Sequence, residues 1–128
     1  MCYSLRVGRP KNTNREQIVV SATELIATRG YSALSIDELV RASGATRGFI
    51  YSTFGSKLGL FQACYEQARQ GKDLRHLDLL VVALREASSL SPGFAEIVQQ
   101  DLDELGDQAA ETVGRHLIGR FGEINGKA

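Results

Sequence analysis

Along most of the chain, apolar residues recur every three to four positions, the spacing of helices with one buried face. Ile18, Val19, Ala22, Leu25 and Ile26 form the first such stripe. Thr13-Asn14-Arg15-Glu16 ahead of it fits a capping box, and Arg29-Gly30 behind it supplies a cation and a terminating glycine, so a helix is predicted over 14–29. Ser35-Ile36-Asp37-Glu38 is a second capping box, opening a short helix that carries Ile36, Leu39 and Val40 and stops at Ala42-Ser43-Gly44. Thr46 caps a third helix over 47–54, closed by Gly55. Ser56 caps a fourth, in which Leu60, Phe61, Cys64 and Tyr65 share a face and the pattern fades near Gln70-Gly71. Leu74, Leu77, Leu80, Val81 and Leu84 predict a fifth helix over 73–87, and Ser88-Ser89-Leu90-Ser91-Pro92-Gly93 breaks the chain. Phe94, Ile97, Val98, Leu102, Leu105, Ala109, Val113, Leu117 and Phe121 then predict one long amphipathic helix over 94–121, with Gly106 and Gly114 as its weakest points. No segment alternates as a strand does. The fold class is all-α.

Two short helices joined by about three residues including a glycine are the arrangement of a DNA-reading helix-turn-helix. Charge supports that placement. The formal net charge is zero, yet the first 61 residues hold eight bases (Arg6, Arg9, Lys11, Arg15, Arg29, Arg41, Arg47, Lys57) against four acids, a net of +4 that the remainder cancels. A basic first half on a neutral chain points to a polyanion partner for that half. Two cysteines, Cys2 and Cys64, exclude a disulfide framework and favour a reducing compartment. No apolar signal segment opens the chain, and its longest apolar run, 79–84, is far short of the ~20 residues needed to span a bilayer. A soluble cytoplasmic protein is expected, with no membrane partner and no cofactor.

The stretch Gly30-Tyr31-Ser32-Ala33-Leu34-Ser35-Ile36-Asp37-Glu38-Leu39, followed by Ala42-Ser43-Gly44-Ala45-Thr46-Arg47-Gly48-Phe49-Ile50-Tyr51-Ser52-Thr53-Phe54-Gly55-Ser56-Lys57, resembles the DNA-binding domain of TetR/AcrR-type regulators. The resemblance covers about residues 9–65. It implies a three-helix DNA-binding domain at 13–55, behind a basic arm at 1–12. A connecting helix at 56–70 and a short helical regulatory or dimerisation region at 71–128 would follow. It implies a sequence-specific regulator of transcription that binds double-stranded DNA at a palindromic operator. Repression relieved by a small-molecule effector is the commonest mode in that family. A DNA-binding or protein-interaction module that senses no ligand is the alternative.

Residue types fit those roles. Gly44 makes the turn, Leu39, Ala42 and Ile50 pack the helix pair, and Gly48 lets the recognition helix approach DNA closely. Arg47 and Phe49 lie at the end of that helix that meets base edges. Arg47 reads either as a solvated charge or as a base or phosphate contact, and its place on the motif favours contact. Phe49 reads as core or as DNA contact, the latter favoured because Ile50 and Phe54 already supply core. Tyr51 serves packing, phosphate contact or both, and by resemblance Tyr51 and Lys57 touch phosphates. Thr46 and Ser35, at helix N-caps, can offer backbone N–H groups to a phosphate. Arg9 and Lys11 form either a solvated tail or a minor-groove arm. Thr53 stands where the family very often has histidine, which weakens that backbone contact, and Leu58 replaces a frequent glutamate.

Cys64 on an apolar face reads as a small buried hydrophobe, and His76 and His116 stand alone without ligand spacing. No nucleophile–base pair, metal set or phosphate loop is visible, so an enzyme is not expected. The second half is roughly half the length expected for such a regulator, as a natural short form or a truncated one. Its stripe from Val98 to Phe121, ~35 Å at 1.5 Å per residue, is expected to pair with the same stripe of a second chain in a homodimer.

Overall fold

The computed structural model describes the backbone of residues 11–124 and the side chains of these except 11–14, 74, 87 and 124. Seven α-helices occur among the described residues, with no strand: α1 (Lys11–Arg29), α2 (Ile36–Ser43), α3 (Arg47–Phe54), α4 (Lys57–Gly71), α5 (Leu74–Arg85), α6 (Pro92–Leu105) and α7 (Ala109–Ile124). The chain divides into two compact units after Val82.

In the first unit α1 packs on α4 and α2, and α4 on α3. Ile18, Val19, Ala22 and Ile26 of α1 close on Leu60, Phe61, Cys64 and Tyr65 of α4, with Leu39 and Ile50 adding one apolar side chain each from α2 and α3. All ten are at most 1% exposed. Each large side chain of this set stabilises the fold by about 1.5–3 kcal/mol on burial, which is what holds the two short helices in place. The Cys64 thiol is part of the core: its Sγ sits 3.6 Å from the Val19 carbonyl oxygen, and burial pushes its pKa up to about 12. At the start of α5, Arg75 donates to both carboxylate oxygens of Glu24 on α1 (2.9 and 2.7 Å) and to Asp78 (2.7 Å), and these bonds raise its pKa further.

In the second unit α6 starts at Pro92, earlier than Phe94, because Ser91 caps it and proline has both the helical φ and no N–H to satisfy. Phe94, Val98 and Asp101 form its buried face. The helices depart from the sequence pattern in two places. The single helix over 94–121 is two helices: Gly106 takes φ +67° and ψ −146°, a conformation open to glycine alone, and a 3₁₀ turn over Gly106–Gln108 re-aims the chain into α7. The continuous ~35 Å stripe therefore does not exist. Helical backbone already runs at Lys11, ahead of the expected start at Asn14, so Thr13 lies within α1 and Lys11 is helical, not extended. The Lys11 side chain and the whole of Arg9 lie outside the described residues.

Candidate nucleic-acid interface

Local caps build the α2–turn–α3 unit. Ser35 Oγ accepts the Glu38 N–H at 3.3 Å and Thr46 Oγ1 accepts the Phe49 N–H at 3.1 Å, so each helix begins where its cap dictates. Between them Gly44 stands at φ +79° and donates its N–H to the Val40 carbonyl at 2.9 Å. The Glu38 carboxylate does not close the capping box; it pairs with Arg29, tying α2 to the end of α1. Ile50 is buried beneath α3, and the Arg15 guanidinium lies over the half-buried Phe54 ring, 5.2 Å from its centroid.

A second glycine fixes α3 against α4. A Cβ on Gly59 would fall on the Phe54 carbonyl oxygen, well inside contact distance, so only glycine lets α4 start this close to the end of α3. No pattern in the sequence singles it out.

With Ile50 and Phe54 turned inward, Arg47, Gly48, Tyr51 and Ser52 face outward and are exposed, while Phe49 and Thr53 flank them. Lys57, the first residue of α4, is half-buried with its Nζ 5.1 Å from the Tyr31 ring centroid, and Tyr31 stacks on Phe61. Ser52, one turn beyond Gly48 on the same face, was missed by sequence reasoning, although its spacing gives it away. Ala42, expected between α2 and α3, is exposed and lines a cleft of about 410 Å³ with Ser43 of α2 and with Glu16, Gln17, Val20 and Ser21 of α1. The two N-termini also differ. The first turn of α2 holds Asp37 and Glu38, which repel an anion, whereas that of α3 holds no acid; the Thr46 end suits a phosphate better than the Ser35 end.

Residues 18–64, from the middle of α1 into α4, match the family model of the bacterial regulatory proteins of the tetR family. The uncharacterized HTH-type transcriptional regulator TtgW of Pseudomonas putida is 32% identical over 104 residues, covering 72% of this chain and 78% of that protein. The chain belongs to the tetR family. The matched residues include all of α2 and α3, which form a helix-turn-helix, and the relatives are named HTH-type transcriptional regulators. The chain is similar as well to the HTH-type transcriptional regulator SrpR of Pseudomonas putida, 33% identical over 104 residues, 72% of this chain and 49% of that protein. The HTH-type transcriptional activator FasR of Mycolicibacterium smegmatis is 33% identical over 78 residues, 61% of this chain and 32% of that protein. The chain thus spans about half of SrpR and a third of FasR. No solved structure matches it. Among the described residues no helix is long and apolar enough to cross a membrane.

Proposed function

We propose that α3 enters the major groove of duplex DNA and reads its sequence, with Arg47 and Phe49 at base edges. Gly48 would lie against the groove wall, and Tyr51, Thr53, Lys57 and the N-terminus of α3 at Thr46 on phosphates. Ser35, Arg9 and Lys11 complete the proposed contact set at its margins. One observation carries the reading. Gly48 is the second residue of the eight-residue α3, where glycine gives up more backbone freedom on folding than alanine would. Nothing in the fold asks for it: a Cβ there meets no atom within 4 Å. Gly114 and Gly119 of α7 are equally open, so what sets Gly48 apart is its place on the outward face of α3, beside Arg47, where a missing side chain lets a groove come close.

The proposal includes a homodimer acting at a palindromic operator. Leu117, Ile118 and Phe121 of α7 are 48%, 74% and 66% exposed and share one side of the helix. Such an apolar surface suits pairing with its own copy about a two-fold axis, the symmetry a palindromic operator requires. Repression and its relief by a small effector belong to the same proposal and rest on family likeness alone, since FasR is named an activator and the ComR relative from Escherichia coli a repressor.

The test compares two substitutions. Arg47→Ala should lower the ratio of specific to random DNA affinity, because base contacts discriminate, while Lys57→Ala should weaken both alike, because phosphate contacts only position. Equal effects of the two on that ratio would sink the assignment.

A further inference from the structure

We infer that Asp37 is a positioning residue for base reading: it holds the Arg47 guanidinium in place to pair with a guanine in the major groove. The inference rests on the placement of α3 proposed above.

Arg47 opens α3 with its side chain 58% exposed. An exposed arginine has many rotamers to lose when it docks on a base. Here two groups restrain it. Asp37 Oδ1, from the first turn of α2, accepts from Arg47 Nη1 at 2.6 Å, and the Tyr51 ring, one turn further along α3, has its centroid 5.7 Å from the guanidinium carbon. The bond to Asp37 uses one of the five N–H donors of a planar fork. Two parallel donors remain for the O6 and N7 acceptors of guanine, the base edge that fork matches best.

The location of Asp37 argues that it serves recognition more than stability. Its side chain is 74% exposed beside the outward face of α3, where a carboxylate repels phosphate. A surface built for affinity alone would not carry it. An ion pair this exposed adds little to folding, and the favourable place of an acid in the first turn of α2 is already filled by Glu38. What Asp37 alone supplies is a second anchor for Arg47.

The test uses the full chain. Duplexes bound by the wild type are selected in vitro, and each guanine of the half-site is then changed in turn. Affinities for this set are measured for wild type, Asp37→Ala, Asp37→Asn, Arg47→Ala and the Asp37→Ala/Arg47→Ala double variant. One guanine should matter to the wild type by about tenfold or more. Asp37→Ala should cut that preference at least threefold, at that guanine only and not in the Arg47→Ala background. Asp37→Asn, which keeps the acceptor oxygen, should retain most of it, and it decides the matter if the alanine variant does not fold. If Asp37→Ala instead strengthens binding to every duplex by one common factor, in both backgrounds, the carboxylate merely repels phosphate and the inference is wrong. An unchanged guanine preference overturns it too. If the wild type selects no sequence at all, the placement of α3 fails and takes the inference with it. A selected site with no guanine dependent on Arg47 overturns the inference alone.

Discussion

Gly48→Ala separates what the fold requires from what a partner requires, because its two effects should have opposite signs. The position is exposed, lies within α3 and has open space where the new methyl would sit. Alanine there loses less backbone entropy on folding than glycine, so the variant should be more stable by about 0.5–1 kcal/mol. For a small domain that raises the melting temperature by roughly 2–8 °C. On DNA the same methyl stands where the groove must approach. Binding should weaken by about tenfold or more, equivalent to ~1.4 kcal/mol, with Gly48→Glu, adding bulk and a charge opposed to phosphate, removing it altogether. Thermal melts followed by circular dichroism and duplex binding by fluorescence anisotropy give both numbers on one preparation. A Gly48→Ala variant that is more stable and binds as tightly as the wild type would refute the close approach of this helix to DNA. A less stable variant would refute the reading of the local structure.

Gly59→Ala should act the other way on stability, losing about 1–3 kcal/mol by forcing α4 off the Phe54 carbonyl, as a lowered melting temperature would report. The buried Cys64 thiol, its pKa raised to about 12, should resist alkylation at pH 8 in the native protein and react once unfolded, in a Cys2→Ser background where it is the sole thiol. Because the folded protein holds this proton more tightly, the associated stability is complete below the ordinary thiol pKa and is lost as pH rises from about 9 towards 12. Fast native alkylation would show the site to be open. In sedimentation at micromolar concentration the wild type should run as a dimer and Ile118→Asp with Phe121→Asp as a monomer; a monomeric wild type ends the dimer proposal.

The parts of this fold legible in the sequence are those set by local chemistry. Ser35, Gly44, Thr46 and Gly55 each fix a helix end through a bond to a near neighbour or a left-handed turn, so α2 and α3 could be bounded without knowing what surrounds them. Gly106 is legible as a weak point of the helix but not as a break, because Leu102, Leu105, Ala109 and Val113 keep helical spacing across it and no short-range signal distinguishes a tolerated glycine, as at Gly114, from one at φ +67°. Contacts between helices stayed hidden for a similar reason. The Arg47–Asp37 pair spans ten residues, and the Gly59 approach to Phe54 depends on the angle between α3 and α4. The exposed α7 surface was foreseen only in part: Leu117 and Phe121 were expected, but Ile118, the most exposed of the three, was not.

If α3 reads duplex sequence in a two-fold arrangement, the bound DNA itself should carry the mark of it. The decisive experiment is in-vitro selection from random duplexes with the wild-type chain, followed by binding measured at rising salt. Selection should enrich a palindrome with half-sites centred about 10–10.5 base pairs, or a multiple of that, apart. Affinity for it should fall about 10³-fold or more between 50 and 200 mM salt if six or so phosphates are neutralised. A pool that remains random after repeated rounds, or binding indifferent to salt over that range, would contradict that arrangement.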